Sequence, residues 1–453
     1  SLAERLPLPV EARGWLQRLA PRGRLDNATL NWQSRGSGPG AQRTLASARG
    51  RVTGLALAGE PSGRMSASGR YPLPGRPGIE GATVDFEFDQ DGGSARVALR
   101  DGALMFPDVF EQPRMPLAQL DARARWRLQG ERIEVDLDEL QLASADLQGS
   151  ARGRWHTGEA ALSRWPGVLD LSATVTRAQA TAVHRYLPLT VPADARRYVR
   201  DAVRGGSVAD VDLRILGALD DLPFEKATTP GTFRIAARLD GVDFDYVPGF
   251  LQAAHDAPWP GVRGAAARFL LERTALRIEG IEAGVAGAAG LRVSEGRVDI
   301  DNLAFETRVG VIARVHGPAG EALAFVQTSP VDALMEGALA RARIGGTAST
   351  TVQLDLPLAD LRASRVTGTV RLDGNDLRIS PDAPMLANTR AALAFTERGF
   401  AFSGARTRLY GGELVFDGSL REGAQGEPLL QFRGQGTASA EALRENGPAT
   451  VAR

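Results

Sequence analysis

Cysteine is absent from this 453-residue chain, which excludes disulfides, thiolate metal sites and cysteine nucleophiles. Lysine is nearly absent: Lys226 stands alone, and every other basic side chain that is always charged is arginine. Histidine is confined to His156, His184, His255 and His316, with no i, i+4 pair and no carboxylate pattern beside them, so no metal is expected. Neither sign of charge is in excess, because 54 basic residues are interspersed with 54 acidic ones. That removes the electrostatic footprint of a nucleic-acid binder and of a polybasic membrane patch. Long apolar runs are missing as well. The longest stretch without a charge covers 344–354, 11 residues rich in Gly and Thr, well short of the roughly 18 apolar residues that a membrane helix needs. Aromatic residues make up only 6%, lean for a chain of this length that buried both faces of its sheets. One face is therefore expected to be wet or to face a ligand.

The motifs of catalysis are missing too. Asp240, Asp243 and Asp245 lack the glycine and terminal glutamate of a calcium loop and fall on the polar side of an alternating run, where solvent accounts for them. Gly284, Gly287 and Gly290 imitate a phosphate loop, but no Lys-Ser/Thr follows. No Gly-x-Ser-x-Gly nucleophile motif occurs. The expectation is a non-enzyme with no catalytic residue, metal or cofactor.

What is present is repetition. An LPL tripeptide, a short amphipathic helix, a glycine and an alternating strand occur twice, 183 residues apart from helix through strand. The first helix has Ala12, Trp15, Leu16, Leu19 and Ala20 on one face, and the second has Ala195, Tyr198, Val199, Ala202 and Val203. Gly23 and Gly206 are read as left-handed helix ends. A degraded third copy follows Pro330, with Val331, Leu334, Met335, Ala338 and Leu339 as its face and Gly345 and Gly346 as its end, and a possible fourth helix starts at 439–444. These copies predict helices near 10–20, 193–204 and 331–341 and divide the chain into repeat segments 1–184, 185–330 and 331–453. The chain has no starting Met and ends in mid-pattern, so it reads as the middle of a longer protein.

Between the helices the pattern has a period of two. Val84, Phe86 and Phe88 alternate with Asp85 and Glu87; Ile133, Val135 and Leu137 alternate with Glu134 and Asp136; the same holds from Leu169 to Val175, Phe233 to Leu239, Phe305 to Val315 and on to Leu414 and Phe416. Each strand has one apolar and one polar face, as in antiparallel sheets with a solvated side. Asp240-Gly241, Asp373-Gly374, Arg398-Gly399, Tyr410-Gly411-Gly412 and Asp417-Gly418 are read as short turns, and the glycine-rich stretches 36–40 and 284–290 as loops. The predicted fold is all-β dominated: an elongated, mostly antiparallel, curved β-sheet of repeating β-groove type with a few short amphipathic helices. About two dozen strands at about 4.8 Å each would make a rod on the order of 100 Å long. The apolar stripes are the core of a sandwich or barrel, or they line an open trough for acyl chains, which need only a continuous apolar surface.

RYLPLTVPADARRYVRDAVRGGSVADVDLRILGALDDLPF at 185–224 resembles the signature region of the YhdP branch of the AsmA-like, TamB-like envelope proteins of Gram-negative bacteria. So do GTFRIAARLDGVDFDYVPG at 231–249, PWPGVRGAAARF at 258–269, VQTSPVDAL at 326–334, VQLDLPLADLRASRVTGTV at 352–370 and LAFTERGFAFSGARTRLYGGEL at 393–414, in order over nearly the whole chain. The resemblance implies a periplasmic segment of a bridge-like protein, anchored to the inner membrane by a helix outside this segment. It implies transport of phospholipid between inner and outer membranes along an apolar groove. Expected partners are phospholipid acyl chains, the two membranes through regions beyond this segment, and periplasmic or outer-membrane proteins; nucleic acid is not among them. The residues expected to line the groove are Phe86, Val135, Leu171, Leu213, Phe233, Ile300, Val309, Leu354, Leu372, Phe395 and Phe402. The alternative is a scaffold or chaperone-like role in outer-membrane assembly, with the sheet edge receiving a strand. A carbohydrate-active or adhesive β-repeat protein is a third reading, but it requires aromatic platforms and paired carboxylates, and the six tryptophans are scattered along the sequence.

Overall fold

The computed structural model describes residues 20–35, 42–66, 69–158, 165–226, 228–252, 255, 257–422 and 428–446. The chain is all-β, an open, curved antiparallel sheet architecture with a few short helices. Packing divides it into two compact units: Ser1–Arg200 with Ser207–Ala237 and Leu271–Arg273, and Asp201–Gly206 with Arg238–Leu270 and Thr274–Arg453.

Unit one is built on β1 (Arg22–Arg35), β2 (Gln42–Leu57), β3 (Gly78–Asp89), β4 (Gly92–Met105), β5 (Arg114–Gln129), β6 (Arg132–Ala143), β7 (Leu147–His156), β8 (Val168–Gln179) and most of β9 (Val203–Ala218). Each of these strands pairs antiparallel with the next. The strands β10 (Thr232–Phe244) and β11 (Val262–Glu272) follow. Unit two continues with β12 (Ala275–Val285), β13 (Ala288–Ile300), β14 (Arg308–Pro318), the two-residue β15 (Arg343–Ile344), β16 (Thr347–Pro357), β17 (Arg365–Arg378), β18 (Leu386–Thr396), β19 (Gly399–Leu409), β20 (Gly412–Glu422) and β21 (Pro428–Gly436). Its pairing is again strand to next strand, with β14 joined directly to β16. Short connections between alternating strands make such a meander the direct outcome of the sequence.

The strands bend at bulges, and here the sequence reading needs correction. Asp240-Gly241 and Asp373-Gly374 do not turn the chain; both lie inside strands, with Gly241 at φ 63° and Gly374 at φ 84°. The register slips between Asp373 and Asn375. A positive φ that could close a hairpin here inserts one extra residue into a ladder and sharpens its bend. Asp417-Gly418 likewise lies within β20. Register slips also occur at Gly54, Gly81, Gly280 and Gly404. Arg398-Gly399 and Tyr410-Gly411 do sit at hairpin turns. The stretch 284–290 is no loop: it ends β12, turns at Ala286–Gly287 and starts β13, whereas 36–40 lies outside the described residues.

The helices also differ from the expected set. The first predicted helix, with Trp15, lies outside the described residues. The helix α1 (Ala193–Ala202) half-buries Tyr198, whose phenol is pushed up to about 12 by burial. It runs straight into β9, so Gly206 (φ 96°) is a strand residue rather than a helix end. Glycine is needed there because a Cβ would fall 2.5 Å from the Val242 Cα. Gly23 too lies in a strand, β1. In the third copy the main helix is α2 (Ala319–Gln327), upstream of the expected one, followed by the single turn α3 (Val331–Leu334). Leu334 and Met335, expected to be buried, are 77% and 37% exposed. Gln327 supplies the reason: its side-chain amide donates to the Leu339 and Ala342 carbonyls at 2.7 and 3.2 Å. That holds the segment after α3 as a series of turns rather than a helix. Gly345 and Gly346 form the break between β15 and β16, with the buried Asn375 amide donating to the Gly345 and Thr347 carbonyls. A last helix, α4 (Ala440–Asn446), begins one residue after Ser439.

Candidate functional site

Antiparallel partners in register project to the same face, so the ladders show which predicted groove residues share a surface. In unit one Phe86 stands opposite Gly50 and Ala95, and the row continues through Ala124, Leu137 and Gly153 to Leu171 and Ile215. Val135 is two residues from Leu137, and Leu213 two from Ile215. Phe86, Val135, Leu171 and Leu213 therefore share one face.

In unit two Ile300 stands opposite Val309, and Val311, one pleat on, opposite Leu354. Leu372 is opposite Ala348, and Phe395 opposite both Gly368 and Phe400, two residues from Phe402. Ile300, Val309, Leu354, Leu372, Phe395 and Phe402 share a face in the same way. Phe233 lies on β10, which pairs with β9, the strand of Leu213; its carbonyl accepts the Arg273 amide at 2.8 Å. Each of the eleven residues is partly buried: none is fully exposed and none is sealed in a core.

Glycines opposite the rings were not anticipated, and they shape this surface. A Cβ at Gly368 would fall 2.2 Å from Phe395, and one at Gly418 would fall 2.5 Å from Phe402 and 2.6 Å from Phe432. The rings lie flat over strands that carry no side chain there. Phe402 also packs edge-on against Phe416 at 5.3 Å. The result is a broad apolar surface.

The other face is ionic. The row opposite Asp85 reads Arg51, Asp85, Arg96, Arg123 and Glu139 across five strands. Arg51 pairs with Asp85 at 2.5 Å, Arg125 with Asp138 at 2.5 Å, Arg154 with Asp136 at 2.6 Å, and Arg127 with Glu134 at 3.2 Å. Hydrogen bonds from Arg51 hold the Asp85 carboxyl below the usual range, and those from Arg154 do the same for Asp136. Asp245, assigned to solvent in the sequence, is instead held by Arg204 at 3.0 Å and Arg263 at 2.8 Å, and Asp243 accepts the Gly264 amide at 2.9 Å.

Among the described residues no group of His, Asp and Glu is arranged to hold a metal ion, and no helix is long and apolar enough to cross a membrane. A small cleft in unit one is lined by Gln112, Arg114, Asp146, Arg185 and Tyr186. Arg185 closes it, pairing with Asp146 at 2.5 Å and donating to Gln112 at 3.2 Å. Tyr186 donates to the same carboxylate at 3.2 Å, so the arrangement ties three segments of unit one together.

Each unit has antiparallel strands with an apolar face, unit one sets an ion-paired face opposite it, and no metal-binding group stands among the described residues: the chain is an open β-sheet protein. The chain belongs to the YhdP family, whose model, described as YhdP protein, matches residues 1–453. No curated protein and no solved structure matches the chain.

Proposed function

We propose that this chain is a periplasmic segment of an inner-membrane-anchored, bridge-like protein that carries phospholipid between inner and outer membranes along its apolar faces. One observation carries the reading: ten of the eleven predicted residues fall into two single-face sets, all partly buried. A sandwich core would seal such residues, and a solvated face would not be lined with Phe, Leu and Val. Acyl chains need no catalytic group, only apolar area, at about 0.8 kcal/mol per buried CH₂. The ionic face keeps the outside of the sheet in water. We further propose that 1–184, 185–330 and 331–453 are repeat segments. The second holds α1, six strands and α2; the third opens at α3 and closes with α4.

Native mass spectrometry of the purified chain tests the lipid reading. Phospholipid is expected to co-purify, and Phe395→Asp is expected to remove at least about nine-tenths of it, because an unpaired carboxylate facing hydrocarbon costs several kcal/mol. Asp85→Lys on the ionic face is expected to leave the lipid in place. Equal loss from both variants, or no lipid in the parent, overturns the reading.

The scaffold alternative has one supporting observation. Leu429, Leu430 and Phe432 on β21 are 37%, 56% and 59% exposed, the disposition of an edge that could accept an added strand.

A further inference from the structure

Along its strands, the apolar face of unit one has two dissimilar ends. At one end Ala82, Leu99, Leu117 and Leu120 form a dry cluster, with Ala82 and Leu99 at 0% and 1% exposure. At the other, one cross-strand row reads Phe88, Gly93, Trp126, Val135, Trp155 and Leu169. Gly93 makes room for its neighbours, since a Cβ there would lie 2.5 Å from both Phe88 and Trp126. Trp165 stacks on Trp155 with centroids 5.3 Å apart and an interplanar angle of 25°, and is itself 58% exposed.

Three of the six tryptophans thus gather at one level of one face, Trp126 from β5, Trp155 from β7 and Trp165 from just before β8. The Trp155 indole N–H is fixed on the Pro166 carbonyl at 2.8 Å. Just beyond the row the strands end in the turns at 90–91 and 130–131, where Asp89, Asp91, Gln129, Glu131 and Arg132 are exposed to water. Tryptophan, with an apolar body and a polar edge, favours the level at which hydrocarbon gives way to ester and head group.

We propose that this row marks the glycerol level of a phospholipid bound on unit one. The acyl chains run along the strands toward Leu137, Ala122 and Leu140, and the head group lies beyond the row at the turns. The reverse orientation would drive a phosphate against the Ala82–Leu99–Leu120 end, whose space is already filled with hydrocarbon. This orientation rests on the lipid reading above and adds a direction to it.

Depth-dependent fluorescence quenching tests it. In the full chain, Trp15, Trp32 and Trp259 are replaced by Phe, leaving the three row tryptophans as reporters. The chain is loaded with phosphatidylcholine carrying a nitroxide either near the carbonyl end of one acyl chain or at its methyl end. The carbonyl-end label is expected to quench at least about twofold more strongly. Equal quenching, or stronger quenching from the methyl-end label, overturns the orientation while leaving lipid binding intact. No quenching from either label, with no lipid retained, overturns the lipid reading itself. Should the triple replacement fail to fold, the same lipids are applied to the native chain and to Trp126→Phe. The expected result is then weaker carbonyl-end quenching in the variant, with Trp155 and Trp165 supplying the remainder, and an unchanged signal counts against the proposal.

Discussion

The two units handle the inside of a bent sheet differently. Unit one fills the neighbourhood of its bulges with hydrocarbon: Ala82, Leu99, Leu117 and Leu120, with Leu55, Val84 and Val97 packed around them. Unit two places polar side chains beside its bulges at Gly374 and Gly404. Asn375 (0% exposed), Thr389 (1%) and Thr407 (4%) are buried there. The Thr389 and Thr407 hydroxyls share a hydrogen bond of 3.0 Å, and Asn375 donates to two carbonyls and accepts the Asp373 amide at 2.9 Å. A bulge frees backbone groups, and burial then demands either that apolar bulk cover them or that side chains bond them. Unit one takes the first course around Leu99, and unit two the second.

The comparison breaks most visibly at Leu99. Leu99→Ala is expected to destabilise unit one by about 3 kcal/mol, through lost transfer energy and a residual cavity, read as a lower urea midpoint for the Trp126 and Trp155 emission. Asn375→Ala removes bonds to the Gly345 and Thr347 carbonyls and is expected to cost about 2 kcal/mol. If hydrogen bonding is what matters at this site, Asn375→Leu is expected to be no better than Ala although it restores bulk; recovery of stability with Leu would make the two units alike. The smallest effect is expected on the ionic faces. Asp85, Asp121 and Asp136 of unit one and Asp245 and Asp299 of unit two all have folded pKa values below their ordinary range. A depressed carboxylate stabilises the folded state above its unfolded pKa, about 4, and that contribution fades as pH falls through the folded value. A urea midpoint that is flat from neutral pH to about 5 and declines below about 4 is expected for both units, with a shallow slope because the pairs are exposed to solvent.

Period-two alternation was enough to reveal the strands, their apolar faces and ten of the face-sharing residues, because a pleat converts alternation directly into sidedness. Other features were not legible in that pattern. Asp373-Gly374 has the composition of a hairpin turn, and only the partner strand decides whether its positive φ closes a loop or inserts a bulge. The third-copy helix had the right spacing at Val331, Leu334 and Met335, but the Gln327 amide bonds to Leu339 and Ala342 favour turns there. The tryptophan row was hidden for another reason. Residues 88, 126 and 155 meet only through successive cross-strand registers, and no local window of sequence spans them.

The spacing of helices along unit two imposes a counting rule on how such a chain can lengthen or shorten. Six full strands, β16 to β21, separate the α2–α3 pair from α4. In an antiparallel meander every strand reverses the chain, so an even number returns it to the end from which it left. Both helical elements consequently occupy the same end of the strands. Loss or gain of a single strand would carry the next helix to the opposite rim and reverse every later strand. Insertions and deletions that keep the helices aligned can come only in whole hairpins, so length in this array is quantised in pairs of strands.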